Sequence, residues 1–263
     1  MRILITNDDG ILAPGLAVLE DLANELAGPD GEVWVVAPQT EQSGVGHCIS
    51  YTKPVLMHTY GPRRFAVEGS PADCILVGLN HIMDTPPDLV LSGVNKGNNA
   101  AENTLYSGTI GAVMEAALAN IPAVALSQFF GPHNASLDDQ FEAARASGVA
   151  AIKACLTAGF PKEHDYKLFY NINFPPVAGA DVKGIKAVSQ GYRRDGAFTV
   201  TPTDAPNGRR FLFVHGHPQQ TPTAPGTDAH ANLDGYTAVT PMRCDLTARG
   251  DMARLEDALP HDA

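Results

Sequence analysis

Arg2-Ile3-Leu4-Ile5-Thr6-Asn7-Asp8-Asp9-Gly10 is a short apolar run that stops at two adjacent acids. The run is too brief for a helix and continuously apolar, which fits a strand buried on both faces. A helical spacing follows: Leu16, Leu19, Leu22, Ala23 and Leu26 recur across residues 14–27, closed by Gly28-Pro29. Glu32 to Ala37 is the next buried strand, stopped by Pro38. The same beat continues. Arg64 to Val67 reads as a strand, and Ser70-Pro71-Ala72-Asp73 as a capped helix start with Ile75, Leu76, Leu79 and Ile82 as its stripe. Asp88 to Leu91 reads as a strand, Thr109 to Ala119 as a helix, Pro122 to Leu126 as a strand, and Asp138 to Thr157 as an Ala-rich helix. Such alternation predicts an α/β fold whose mainly parallel sheet carries helices on both faces.

The second half has a different texture. Lys167 to Asn173 reads as a strand, and Gly184 to Gln190 and Ala197 to Thr201 as extended. Asn207-Gly208 before Arg-Arg-Phe-Leu-Phe-Val signals a hairpin. His215 to Asn232 shows no period and reads as a long loop, Tyr236 to Thr240 as a last strand, and Asp245 to Leu259 as a terminal helix. The expected organisation is an α/β core over residues 1–160. Residues 161–263 form a β-rich C-terminal extension with a projecting hairpin, completing the same domain and serving subunit contacts.

Composition narrows the function classes. The chain has 263 residues, 44% hydrophobic and 18% charged, which argues against global disorder and against a coiled coil. Its 25 glycines and 20 prolines predict a loop-rich fold. A net charge of −11 argues against binding a nucleic-acid duplex through its phosphates. A small anionic substrate is compatible with it, because a bound cation can reverse the local sign. No apolar run reaches the ~18–20 residues of a membrane span, and the N-terminal stretch does not read as a signal peptide. Cys48, Cys74, Cys155 and Cys244 lack zinc-ligand or C-x-x-C spacing. They are expected to be buried reduced thiols in a cytoplasmic protein.

In open α/β sheets, ligands bind beyond the carboxyl ends of the strands. Three polar stretches fall there: Asn7-Asp8-Asp9-Gly10, Gln42-Ser43-Gly44 and Ser92-Gly93-Val94-Asn95. Adjacent carboxylates at the end of a buried strand repel each other and are costly unless paired. One reading is structural, with Asp8 capping the next helix and Asp9 meeting solvent or an Arg. The other is a divalent cation, for which Ser43 and Asn95 add the oxygen donors that hard cations take. Tyr106-Ser107-Gly108-Thr109-Ile110-Gly111 leads into a helix. Free backbone N–H groups and hydroxyls there suit a phosphate, while plain capping by Ser107 is the alternative. A cation beside an anion-binding helix start is a recipe for phosphoryl hydrolysis. His47, in the loop after Ser43, is the nearest candidate in sequence for a proton donor, with a plain solvated loop histidine as the alternative. His215 with His217 makes a weak metal pair, Arg193-Arg194 and Arg209-Arg210 read as solvated charge on a hairpin with steering of an anionic substrate as the alternative, and Phe130 and Tyr192 are candidates for stacking on a base.

Rival readings are a phosphatase with an aspartyl nucleophile, and a non-catalytic module such as a phospho-acceptor receiver. The first usually shows D-x-D rather than adjacent acids. The second requires an acceptor Asp after the third strand, where Glu68-Gly69 stands instead. Neither a G-K-[ST] loop nor a G-x-G-x-x-G after a strand is present.

Taken together, six motifs resemble the SurE family of survival-protein nucleotidases. They are M-R-I-L-I-T-N-D-D-G-I from Met1, A-P-x-x-E-Q-S-G from Ala37, V-E-G-S-P-A-D-C from Val67, S-G-V-N-K-G-N-N from Ser92, Y-S-G-T-I-G-A-V-M-E-A from Tyr106, and T-D-A-H-A-N-x-x-G-Y-T-A-V-T-P from Thr227. The resemblance runs from Met1 to about Ala248. It implies a Rossmann-like core and a metal-dependent phosphatase of nucleoside 5′-monophosphates, often also of 3′-monophosphates and in some members of short polyphosphate. It also implies homodimers or homotetramers with exchanged C-terminal elements. Carried over by position, it implies one divalent cation per subunit, Mg²⁺ or Mn²⁺, on Asp8, Asp9, Ser43 and Asn95, with Asp8 and Asp9 also catalytic. The phosphate-binding positions fall on Asn99, Ser107, Gly108 and Thr109. Ser70 stands where Thr is common, Ala101 where Gly is common and Ile110 where Val is usual; none of these is an implied metal ligand.

Overall fold

Strand β1 (Arg2–Thr6) lies inside a nine-stranded sheet and sends alternate side chains to opposite faces. Ile3 and Ile5 join one core cluster with Leu16, Leu19, Phe141 and Ile152. Leu4 joins another with Val36, Ile75, Ile110 and Val113. A continuously apolar strand is therefore explained by two cores, one on each face of the sheet. Fully burying each such side chain contributes on the order of 1.5–3 kcal/mol.

The computed structural model describes residues 1–131, 133–194, 198–216 and 218–260. After β1 come α1 (Pro14–Ala27), β2 (Glu32–Pro38), β3 (Met57–Gly61), β4 (Arg64–Val67), α2 (Pro71–Val77), β5 (Leu89–Lys96), α3 (Gly108–Leu118), β6 (Ala123–Gln128) and α4 (Glu142–Ala158). The latter part holds β7 (Lys162–Glu163), β8 (Tyr166–Lys167), β9 (Phe169–Phe174), β10 (Ile185–Ala187), β11 (Thr199–Asp204), β12 (Arg210–His215), α5 (Asp228–Leu233), β13 (Thr237–Met242) and α6 (Met252–Glu256). The main sheet runs β10-β13-β9-β6-β5-β1-β2-β4-β3. Helices α1 and α4 cover one face, and α2 and α3 the other.

Strands β4-β2-β1-β5-β6-β9 are all parallel, and only β3 and β13 pair antiparallel to a neighbour in this sheet. Counted in chain order, these six parallel strands follow 3-2-1-4-5-6, the doubly wound arrangement. The order reverses between β1 and β5. Connections leave β1 in one direction and β5 in the other, so a crevice opens beyond their carboxyl ends. Asp8 and Asp9 follow β1, and Asn95 ends the β5 side of the same crevice.

Several expectations are corrected. Strand β5 extends to Lys96, into the stretch read as loop, because its Gly93 approaches Leu126 so closely that an ideal Cβ would lie 2.2 Å from the Leu126 carbonyl oxygen. Strand β3 precedes β4 as a hairpin partner whose side chains are partly exposed, which blurred its apolar alternation. The expected loop at residues 215–232 ends in α5, six residues long and too short to show a period. The expected terminal helix reduces to a 3₁₀ turn at Arg249–Asp251 and the exposed α6, with no buried face. The β11–β12 hairpin is present, and both strands are exposed along their whole length. Strands β9, β13 and β10 join the main sheet, so the latter half builds part of the same layer. No helix among the described residues is long and apolar enough to cross a membrane.

Candidate active site

The turn after β1 is built by Asn7. Its Oδ1 accepts the Gly10 N–H at 3.2 Å and its Nδ2 donates to the Gly10 carbonyl at 2.9 Å. Gly10 adopts φ +102°, a conformation that favours glycine. The turn is braced from the next strand, since Ile11 N–H donates to Pro38 O and Gln42 N–H donates to Asp8 O. The loop bearing Ser43 is thereby tied to the acidic turn. Gly46 N–H then donates to Tyr106 O, joining the same loop to the approach of α3.

Asp8 is 3% exposed. Its Oδ1 accepts the Thr109 hydroxyl at 2.6 Å and its Oδ2 accepts the Thr109 N–H at 3.2 Å. Burial is the main influence on its acidity and pushes its pKa up to about 6, opposed by the Thr109 hydroxyl and reinforced by the charge of Asp9. Asp9 is half-buried and accepts the Lys96 N–H at 3.1 Å. Burial raises its pKa too, against the pull of that N–H.

Asn95 is buried, and its Nδ2 donates to Gly97 O at 2.8 Å, which turns the amide carbonyl to the other side. Ser43 is exposed and donates to Glu41 Oε1 at 2.7 Å. Among the described residues, no group of three or more His, Cys, Asp and Glu is placed to hold a metal. A cation here would therefore rely on carboxylates supplemented by neutral oxygens. Two desolvated carboxylates, an amide and a hydroxyl are the hard donor set that Mg²⁺ or Mn²⁺ accepts.

Asp8, Ser43, Asn95, Asn99 and Ser107 line one cavity of about 340 Å³. Asp9 lines a neighbouring cavity instead, and Lys96 borders both. Ser107 caps α3, its Oγ accepting the Ile110 N–H at 3.1 Å. Gly108 is held so tightly that an ideal Cβ would lie 3.0 Å from Asp8 Cβ and 3.1 Å from Pro71 Cγ. Thr109 is fully buried, and its hydroxyl and N–H are both donated to Asp8. Asn99 is pinned by a buried amide network, with its Nδ2 on Ser127 Oγ at 2.9 Å and its N–H on Asn173 Oδ1 at 2.8 Å.

Other expectations meet different surroundings. His47 pairs with Glu115 at 2.8 Å and borders a separate cavity. Arg193, read as solvated, is 2% exposed and lines the Asp8 cavity. It donates to Glu102 at 2.9 Å, to Ala100 O at 3.2 Å and to Asn98 Oδ1 at 3.3 Å. With Gln219, whose Oε1 accepts the Asn98 N–H at 3.0 Å, it clamps the loop that carries Asn99. Nothing in the Gln-Gly-Tyr-Arg-Arg stretch signals this burial. Tyr192 is exposed, Cys48 is exposed rather than buried, and His217 lies outside the described residues. Ala101, which stands where Gly is common in the family, adopts φ +55° and donates its N–H to Asp228 at 2.9 Å.

The profile of the family described as "Survival protein SurE" matches residues 3–197. The chain belongs to the SurE family. A "5'-nucleotidase SurE" of a Jannaschia species is 63% identical over 262 residues, covering 98% of this chain and 100% of that protein. One from Ruegeria pomeroyi is 62% identical over 260 residues, again covering 98% and 100%. The crystal structure of SurE protein from Aquifex aeolicus superposes with a TM-score of 0.80 at 34% identity, covering 98% of this chain and 99% of that one. The Rossmann-like reading of this SurE chain thus agrees with a solved fold as well as with its own strand order.

Proposed function

We propose that this SurE chain is a metal-dependent phosphohydrolase of nucleoside 5′-monophosphates. The observation that carries this reading is the cavity at the sheet's reversal point, where Asp8, Ser43 and Asn95 share a wall with Asn99 and the capped start of α3. Asp8, Asp9, Ser43 and Asn95 would hold one divalent cation, Mg²⁺ or Mn²⁺. When bound, it supplies Lewis-acid polarisation of a phosphoryl oxygen and a water of lowered pKa.

The chain's own residues set the geometry beforehand. Thr109 fixes both oxygens of Asp8, so the carboxylate does not rotate away. Asn99 is locked by Ser127 and Asn173 before substrate arrives. Asn99 with the Ser107–Gly108 turn would face the phosphoryl oxygens as their charge redistributes. Donors fixed in advance cost no reorganisation in the transition state. Lys96 places positive charge at the cavity of an otherwise acidic protein, whereas the charge of Arg193 is paired with Glu102 at 2.9 Å.

A homodimer or homotetramer with exchanged C-terminal elements suits the projecting hairpin, where Phe211, Leu212, Phe213 and Val214 are all more than half exposed. Four unpaired thiols suit a cytoplasmic location. The test is phosphate release from AMP, GMP, CMP, UMP, 3′-AMP and short polyphosphate, after chelation and after re-adding single metals. Turnover of the 5′-monophosphates should vanish with EDTA and return with Mn²⁺ or Mg²⁺. Turnover that survives chelation, or a trapped phosphoaspartate, would contradict the proposal.

A further inference from the structure

The cavity lined by Asp8 also has a chemically different part of its wall. There Tyr106 and Phe198 meet edge to face, with ring centroids 5.0 Å apart and planes at 82°. Tyr106 is 45% and Phe198 47% exposed, so each ring keeps an open face. Tyr106 immediately precedes Ser107, and Phe198 stands one residue before β11 at the foot of the hairpin. Phosphate chemistry does not account for these rings, because the face of an aromatic ring is electronegative and repels an anion. Two half-open rings at right angles form a corner. A flat heteroaromatic group fits it by stacking on one face while its rim meets the other ring. Glu102, Asn103 and Gln219 line the same cavity with polar groups. The charge of Glu102 is balanced by Arg193 at 2.9 Å. A volume of about 340 Å³ is near the lower end for small-ligand sites, which suits one mononucleotide rather than a strand.

We infer that Tyr106 and Phe198 form the nucleobase subsite, stacking the base of a nucleoside monophosphate whose phosphate lies toward Asp8. The inference rests on the phosphohydrolase reading above and adds to it where the nucleoside goes. Every base offers a π face, so the corner accepts all four and favours purines, which cover more ring. The neighbouring cavity beside Asp9 is the competing location, but its aromatic faces are taken. Phe141 is buried against Phe130, their centroids 5.2 Å apart, and Lys96 Nζ sits 5.7 Å from the centre of the Phe130 ring. Substrate recognition would thus depend on the foot of the hairpin as well as on the parallel core.

The experiment compares the Mn²⁺-loaded full chain with its Phe198→Ala, Phe198→Tyr, Tyr106→Leu and Phe130→Ala variants. AMP, UMP and the ring-free ester glycerol 2-phosphate serve as substrates. In Phe198→Ala and Tyr106→Leu, the ratio of kcat/KM for AMP to that for glycerol 2-phosphate should fall roughly ten-fold. The fall should come mainly through KM, and it should be larger for AMP than for UMP. Phe198→Tyr should restore the ratio. An equal fall on both esters would make the rings merely structural, and a fall confined to Phe130→Ala would place the base in the other cavity. Either result overturns the inference. Wild-type protein that favours AMP no more than glycerol 2-phosphate would refute the subsite and leave the phosphohydrolase reading standing. If neither ester turns over, the reading itself fails. Adenosine titrated calorimetrically into the wild type and Phe198→Ala still decides the subsite without turnover: binding lost in the variant supports it, and unchanged binding refutes it.

Discussion

Replacing Asp8 with Asn should stabilise the metal-free protein while removing its metal binding. Asp8 is buried, and its pKa stands at about 6 against 3.8 for an exposed aspartate. Ionising it in the fold therefore costs about 3 kcal/mol more than ionising it in the unfolded chain. The sign follows from the raised value. Below about pH 4 the carboxyl is protonated in both states and there is no penalty. Between about pH 4 and 6 the unfolded chain gives up its proton first, and stability falls. Above about pH 6 the whole penalty is present. The amide replacement keeps both Thr109 contacts, with its oxygen taking the Thr109 N–H and its nitrogen donating to the Thr109 hydroxyl. In EDTA, the Asp8→Asn variant should thus match wild type near pH 4 and exceed it by up to about 3 kcal/mol at pH 8, roughly 6–12 °C in Tm. Thermal and urea unfolding across pH 4–8 would measure this. Mn²⁺ should raise the Tm of wild type and leave the variant unmoved. A variant no more stable than wild type at pH 8, or a gap that does not change with pH, would refute the reasoning.

Three further substitutions probe the same architecture. Thr109→Val removes the hydroxyl that lowers the pKa of Asp8, so protons compete better for the site; Mn²⁺ affinity by calorimetry should drop roughly ten-fold at pH 6 and recover toward pH 8. Gly108→Ala forces a Cβ against Asp8 and Pro71, and should cost about 1–3 kcal/mol in chemical denaturation. Arg193→Met strands Glu102 and the carbonyl of Ala100, and should cost about 3–5 kcal/mol in the same assay.

The parallel core was legible because its elements carry periods long enough to read. Residues 2–6 form a two-faced buried strand, and residues 14–27 form a helix with a buried stripe, opened by Pro14 and closed by Gly28 at φ +75°. Ser70 caps α2 as its sequence announces, and the structure adds the reciprocal contact from Asp73. The acidic pair at the end of β1 pointed to the cavity, since burial of charge must be explained by something. What stayed hidden was held by long-range hydrogen bonds, which leave no period. Thr109 sits next to Ser107 in a turn that suits phosphate, yet its hydroxyl serves Asp8, 101 residues away. Arg193 joins a loop 95 residues earlier, in a stretch whose polarity reads as exposure. The corner of Tyr106 and Phe198 likewise joins two segments that neither spacing nor composition relates.

In the proposed site, four oxygen donors from three strand ends hold one cation. Anomalous diffraction from crystals of the full chain soaked in Mn²⁺ addresses it directly. We predict a single peak per chain at bonding distance from the carboxylates of Asp8 and Asp9, Asn95 Oδ1 and Ser43 Oγ. A peak elsewhere, or none at saturating Mn²⁺, would contradict it.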